Sequence, residues 1–195
     1  MIRLLLVWLL GWLPLLGAAQ GPTKQWDRSF GGSATDFLYT MQVTADGGSI
    51  LGGYSNSGIS GDKTQPNQDS DYWVVKLDAN GIKQWDKTFG GSNIDILRSV
   101  QQTADGGYIL GGYTYSNLSG DVSEPSRGSA DYWIVKLNAA GTKQWDHRFG
   151  GNNADLLYTL QQTADGGYIL GGSSGSGISG DKSAGVYGIS GGTFV

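Results

Sequence analysis

The chain has 195 residues, of which 34 are glycine and none is cysteine, and its formal net charge at pH 7 is −4. A mildly acidic chain with scattered basic residues lacks the lysine and arginine clusters that bind phosphates, so we expect no nucleic-acid partner. The absence of cysteine excludes a disulfide framework, and stability must come from packing or from assembly.

The first predicted element is a secretory signal peptide over residues 1–19. Arg3 supplies a positive charge, residues 4–16 form an apolar run, and small residues follow. A membrane anchor is the alternative, but the run is shorter than the roughly 20 residues that span a bilayer, and Pro14 interrupts it. We therefore expect an exported protein, secreted or at the cell surface, with no membrane span in residues 20–195.

The rest of the chain, residues 20–195, is a repeat region. The tetrapeptide KQWD begins at Lys24, Lys83 and Lys143, with spacings of 59 and 60 residues. A fixed period of this length indicates a repeat architecture. The units are 24–82, 83–142 and 143–195. The last is incomplete, because no DYWVVKL segment follows Lys182.

Each unit contains four segments with strand character. In the first unit these are KQWDRSFGG, DFLYTMQVT, SILGGYS and DYWVVKL. Period-two alternation predicts one common face for Trp26 and Phe30 in the first segment, and another for Phe37, Tyr39, Met41 and Val43 in the second. ADGG and DANG, which follow the second and fourth segments, are tight-turn signals because glycine accepts positive φ.

Four antiparallel strands repeated in tandem predict an all-β fold, a partial β-propeller of about three four-stranded blades. The alternatives are a β-solenoid, whose coils are usually shorter and lack tight hairpins, and a β-sandwich, which would not need such repetition. Closed propellers have at least four blades, so we expect exposed blade edges that favour self-association or aggregation.

The glycine pair of ILGG falls inside a predicted strand. Glycine weakens a strand unless close backbone approach requires it, and we expect that approach where inner strands crowd toward a propeller axis. A phosphate-binding loop is the alternative, but it needs a helix after the glycines, and no helical pattern follows any copy.

The run from KQWDKTFGG through ADGGYILGGYTYSNLSGD and DYWIVKLNAAG to KQWD resembles secreted repeat proteins of the Bacteroidota. The glycine pair is similar to that of kelch repeats, and VKLDANGIKQW is similar to part of quinoprotein-like propeller repeats. The resemblance covers residues 24 to about 182. It implies a propeller-like fold, and proteins of this kind often end in a type IX secretion sorting domain, which is therefore implied for a longer parent. Because the repeat pattern breaks after Lys182, we expect this chain to be a truncated or frame-shifted product of a longer repeat gene. It implies little about biochemistry, because propellers carry many unrelated functions.

Repeated aromatic residues are assigned to core packing between blades, with sugar-stacking platforms as the alternative. They are Trp26, Trp73, Trp85, Trp133 and Trp145. Tyr72 and Tyr132 point to the opposite strand face, against the next blade or toward solvent. The single histidine, His147, is expected at the surface, and without a second histidine or a cysteine it predicts no zinc site.

Aspartates in the long polar loops are the candidate metal ligands. Close carboxylates can bind calcium, but the DxDxDG spacing is absent, and turn structure is the favoured interpretation. These candidates are Asp62, Asp69, Asp71, Asp121, Asp131 and Asp181. Two further repeated sets are expected to be structural hydrogen-bond acceptors, namely Asp27, Asp86 and Asp146, and Asp36, Asp95 and Asp155.

No residue is assigned as catalytic or cofactor-binding, and no cofactor is expected, because identical copies in every unit indicate a scaffold. The predicted function is an exported, non-enzymatic structural or interaction scaffold with an unknown protein or glycan partner, its variable polar loops forming a recognition face. The alternative is an extracellular carbohydrate-binding module of a polysaccharide-handling system. A propeller hydrolase or lyase, and a fragment without its own function, are the remaining hypotheses.

Overall fold

A computed structural model describes residues 23–24, 26–185 and 192–194, the last three by their backbone alone. The predicted signal peptide over residues 1–19 lies outside the described residues. The described residues form strands and no helix, so the all-β prediction is confirmed. They accordingly contain no helix of the length and apolarity that crossing a bilayer requires.

The strands form three antiparallel sheets in chain order, and each strand pairs with the next one along the chain. The first sheet contains β1 (Asp36–Val43), β2 (Ser49–Ser55), β3 (Asp71–Leu77) and β4 (Lys83–Phe89). The second contains β5 (Asp95–Gln102), β6 (Tyr108–Thr114), β7 (Asp131–Leu137) and β8 (Lys143–Phe149). The third contains β9 (Asp155–Gln162), β10 (Tyr168–Ser174) and β11 (Gly192–Phe194). This tandem arrangement is the partial, propeller-like fold that the repeat predicts.

The strand assignment of the KQWD segments needs correction. Residues 26–35 form no strand, so the prediction for KQWDRSFGG is wrong. The second and third copies form β4 and β8, which pair with β3 and β7 and thus close the preceding sheet. The cause, in the first sheet, is the DANG turn, where Gly81 has a φ of 72° in the left-handed region and Asp78 N–H donates to Ile82 O at 2.9 Å. Each complete sheet therefore takes its last strand from the next sequence unit.

A β-bulge interrupts β1, β5 and β9 at the same repeat position. In β1 it falls between Leu38 and Thr40, so Tyr39 is the extra residue. The predicted common face of the second segment is therefore wrong, because the bulge breaks its alternation. The bulge also accounts for the glycine pair: a Cβ atom at Gly53 of β2 would overlap the carbonyl oxygen of Phe37. Close backbone approach is confirmed, but it occurs beside the bulge.

Successive sheets pack face to face, and the core lies between them. We call the side of a sheet that carries Ile50 and Tyr72, or their repeat equivalents, its rear face, and the opposite side its front face. The first junction joins the rear of the first sheet to the front of the second through Ile50, Tyr72, Val74, Leu97, Val100 and Trp133. The second junction repeats this pattern through Ile109, Tyr132, Ile134, Leu157 and Leu160.

The tryptophans confirm most of the predicted core. Trp73 and Trp133 are 6% and 0% exposed. The Tyr72 ring lies 4.7 Å from that of Trp133, and its hydroxyl donates to Trp133 O at 3.0 Å, so Tyr72 packs against the next sheet. Trp85 is half-buried at the same junction, as is Trp145 at the next one. Trp26 is 47% exposed, because it lies in front of the first sheet, outside both junctions.

The short strand β11 stands in place of the missing DYWVVKL segment. Gly172 of β10 pairs with Phe194, whereas the equivalent glycines Gly53 and Gly112 pair with Trp73 and Trp133. The final GTF segment therefore occupies the register of DYW. The third sheet has a third strand that the sequence pattern did not predict.

Candidate functional site

Two of the aspartates that follow a tryptophan in KQWD, Asp86 and Asp146, hold the sheets to their loops, whereas Asp27 is exposed and pairs with Lys24 at 3.1 Å. Asp86 accepts hydrogen bonds from Trp73 Nε1 at 3.2 Å, from Thr64 N and Oγ1 at 2.9 and 2.8 Å, and from Lys83 Nζ at 3.1 Å. Burial alone would raise the pKa of Asp86, but these donors outweigh it and lower the pKa. Asp146 accepts equivalent bonds from Trp133 and Ser123. The expected structural role is confirmed for both.

The aspartates that open β1, β5 and β9 bind the preceding glycine loop. Asp95 accepts from Gly91 N at 2.7 Å and from Ser116 Oγ at 3.0 Å, and Asp36 and Asp155 accept from the equivalent glycines. Asp95 is fully buried, and burial raises its pKa to about 7 despite these donors. The expected acceptor role is confirmed here as well.

The calcium candidates serve the loops in which they lie. Asp62, Asp121 and Asp181 each accept from a glycine N–H, those of Gly31, Gly90 and Gly150, at 3.2 to 3.3 Å. Asp69 is exposed and accepts from Ser70 N, while Asp71 and Asp131 are buried and accept from Gln68 N and Arg127 N. Across residues 23–24, 26–185 and 192–194, no three Asp, Glu, His or Cys side chains form a group able to hold a metal ion.

Two of these carboxylates have buried cations nearby, supplied from different positions. In the first sheet Lys63, 1% exposed, acts electrostatically on Asp71 and donates to Thr88 Oγ1 at 2.6 Å. In the second sheet Val122 replaces that lysine, and Arg148 replaces the threonine. Arg148 Nε lies 3.5 Å from Asp131 Oδ2. Each of the two sheets therefore keeps a buried cation near this aspartate, which is a packing role.

His147 is at the surface, as predicted. Its side chain is 56% exposed, and Nδ1 lies 2.8 Å from Glu124 Oε1. It lies on β8 of the second sheet.

The residue type at the bulge differs between the repeat units. The extra residue is Tyr39 in β1, Arg98 in β5 and Tyr158 in β9. The neighbouring strands β2 and β6 add Tyr54 and Tyr113. We call these five residues the tyrosine–arginine cluster.

Arg98 lies between tyrosine rings in this cluster. Its Cζ atom is 4.1 Å from the ring centroid of Tyr39 and 5.7 Å from that of Tyr113. Its Nη2 donates to Tyr113 Oη at 3.3 Å. Such contacts of a cation over aromatic faces are worth about 0.5–1 kcal/mol each at exposed sites. The guanidinium is therefore held in one place by its neighbours.

The aromatic surface extends beyond the arginine. Tyr39 and Tyr54 have ring centroids 5.9 Å apart, and Phe37 stacks on Tyr39 at 6.0 Å. Tyr39 and Tyr158 are 42% and 47% exposed, so their rings face solvent. Burial raises the pKa of Tyr54 above its ordinary value. The surface thus offers flat rings and phenolic hydroxyls around one fixed cation.

The cation of this cluster is not neutralised locally. Among the described residues no carboxylate oxygen forms an ion pair with Arg98, and tyrosines Tyr39, Tyr113 and Tyr158 are among its main electrostatic neighbours. Its Nε is shielded from solvent and has no hydrogen-bond partner among the described residues. The side chain as a whole is half-buried, and a guanidinium fits a carboxylate or a group of hydroxyls.

Sequence reasoning missed this cluster, although a signal was present. In an alignment of the three units, Arg98 occupies the same repeat position as Tyr39 and Tyr158, so a tyrosine is replaced by an arginine there. The bulge hid its importance, because strict alternation places these residues on a buried face. The comparison with protein families found no family model that matches the chain, and the comparison with curated proteins found no match.

Proposed function

We propose that this chain is an exported, non-enzymatic repeat protein that acts as an interaction scaffold, with the tyrosine–arginine cluster as part of its recognition surface. The observation that carries the proposal is Arg98, a cation fixed between the exposed ring of Tyr39 and the half-buried ring of Tyr113. The repeated aspartates support it indirectly, because their bonds to loops and strands explain them without catalysis. Export rests on the signal-peptide pattern of residues 1–19.

A saccharide with a carboxylate group is the ligand class that this surface favours. Exposed tyrosine rings provide flat apolar faces with hydroxyl donors, which suit pyranose rings. Arg98 supplies a planar fork of donors for a carboxylate. This keeps the carbohydrate-binding function as the second candidate, with a uronic-acid polymer as its test ligand.

Binding assays on variants of the cluster test both candidates. We expect the full chain to bind an oligouronate on a glycan array and in calorimetry, and Arg98→Gln to weaken that binding at least about tenfold, the loss of a charged hydrogen bond. Arg28→Gln removes the same charge from an exposed position outside the cluster and should leave affinity unchanged. Equal affinities for Arg98→Gln and the unaltered chain would contradict a role for the cluster.

A further inference from the structure

Each junction between two sheets is formed by one rear face and one front face. The same two kinds of face are exposed at the ends of the stack, the front face at the first sheet and the rear face at the third. Leu97 and Leu157 are both 0% exposed on the front faces of the second and third sheets, whereas Leu38, their equivalent in the first sheet, is 57% exposed. On the rear faces Ile50 and Ile109 are 0% exposed, whereas Ile169 of the third sheet is 49% exposed. The same repeat positions are buried inside the stack and open at its ends.

The internal junctions have a knob-and-slot geometry. A Cβ atom added at Gly52 would lie 2.7 Å from Cδ2 of Leu97, and one at Gly111 would lie 2.9 Å from Cδ2 of Leu157. Each leucine therefore fits a slot that the first glycine of ILGG leaves open. At Gly171 the described residues place only Thr159 Cγ2 within 4 Å. A cleft of about 180 Å³ lies there, lined by Thr159, Leu160, Gln161 and Ile169 among others.

Polar contacts at the junctions recur in the same register. Val100 N donates to Thr40 Oγ1 at 3.3 Å and Leu160 N donates to Ser99 Oγ at 3.2 Å. A glutamine side chain accepts in the same way: Gln162 N donates to Gln101 Oε1 at 2.7 Å across the second junction. The rear of the third sheet carries the equivalent acceptors, Thr159 and Gln161. The front of the first sheet carries the equivalent leucine and backbone donors.

The segment before β1 forms no strand, but it lies where an outer strand lies in the repeat. Trp26 lies against Gly81 as Trp85 of β4 lies against Gly141, with ring atoms 3.1 Å from an added Cβ in both cases. Asp62 N donates to Gly31 O as Asp121 N donates to Gly90 O, both at 2.8 Å. Residues 26–30 thus sit in front of the first sheet as β4 sits in front of the second.

The space between this segment and the first sheet is open. A cleft of about 290 Å³ lies there, lined by Trp26, Phe30, Leu38, Met41 and Trp73 among others. Among the described residues, the third sheet has three strands, and no strand pairs with the outer edge of β11. The missing fourth strand at one end and the unpaired outer segment at the other are complementary.

We propose that copies of this chain associate head to tail, with the rear of the third sheet of one copy packed on the front of the first sheet of the next. Leu38 enters the slot at Gly171, and residues 26–30 of the second copy lie beside β11 as the fourth strand of that sheet. The partner is a second copy because the interface repeats the two junctions inside the chain. The contact is heterologous, since two different surfaces meet.

Analytical ultracentrifugation of the full chain over a range of concentrations tests the proposal. We expect association that Leu38→Asp and Ile169→Asp each weaken at least about thirtyfold, as the loss of a central interface contact does. An equimolar mixture of the two variants should form a one-to-one pair and nothing larger, because one intact front and one intact rear remain. Ile59→Asp changes an exposed loop residue, 68% exposed, and should not affect association.

A crosslinking experiment gives an independent reading in a chain that contains no cysteine. Leu38→Cys mixed with Ile169→Cys should crosslink with a short bis-maleimide, and neither variant should crosslink with itself. An unaltered chain that stays monomeric at every concentration would overturn the proposal. So would self-crosslinking of Leu38→Cys, which indicates front-to-front pairing, or a mixture of the aspartate variants that does not pair.

Discussion

The packing of the sheets can be tested with one substitution made at three equivalent positions. Leu97 and Leu157 are 0% exposed, and Leu38 is 57% exposed. Leu→Ala removes three carbons, which at about 0.8 kcal/mol each corresponds to about 2.4 kcal/mol of lost transfer free energy when the side chain is buried. The cavity left beside Gly52 or Gly111 adds to this, so we expect Leu97→Ala and Leu157→Ala each to lower the free energy of unfolding by about 2–5 kcal/mol.

Leu38→Ala is the matched control, because it changes the same residue type at the same repeat position. We expect it to alter the free energy of unfolding by less than about 0.5 kcal/mol when the chain is monomeric. Urea unfolding followed by tryptophan fluorescence at low protein concentration measures all three variants, since Trp85 and Trp133 lie at the first junction. Similar losses for Leu38→Ala and Leu97→Ala would refute the argument that the burial of these leucines arises from sheet-to-sheet packing.

Three further predictions concern glycine, buried acceptors and pH. Gly112→Ala should destabilise the chain by about 1–3 kcal/mol, because the new Cβ would overlap Ile96 O and lie 2.7 Å from Tyr72 Oη. Gly58→Ala is the control: a Cβ there would have nothing within 4 Å, so the free energy of unfolding in the same urea titration should not change. Asp86→Ala should lower the thermal midpoint clearly, at a cost of about 3 kcal/mol, because it leaves the buried Trp73 Nε1 and the half-buried Lys83 Nζ without this acceptor. Asp27→Ala, in the exposed KQWD copy, should change it little. Burial raises the pKa of Asp71 to about 6, so the folded state binds more protons than the unfolded state between pH 4 and 6, and the contribution of Asp71 to stability falls as pH rises through that window. Asp71→Asn should flatten that part of the stability–pH curve, and an unchanged slope would contradict a raised pKa.

The repeat was the part of this protein that the sequence predicted best. KQWD, ADGG and ILGG recur at a fixed spacing, and the hydrogen-bonding limits of a strand and a glycine turn are local properties that a short segment carries with it. The all-β class, the tandem four-stranded sheets, the turns, and the structural roles of Asp86 and Asp95 followed from those segments. The pairing of the KQWD segments did not follow from them, because the residues of a strand do not specify which neighbouring strand it pairs with.

Tertiary packing decided what the repeat left open. The bulge at Tyr39, Arg98 and Tyr158 moves these residues out of the alternation, and this brings one arginine between tyrosine rings on adjacent sheets. The burial of each leucine depends on whether another sheet lies in front of it, and the sequence of one unit cannot specify that. The sequence thus determined the sheets, because strand and turn preferences act within a few residues. The structure decided the site and the open ends, because both arise between sheets about 60 residues apart in the chain.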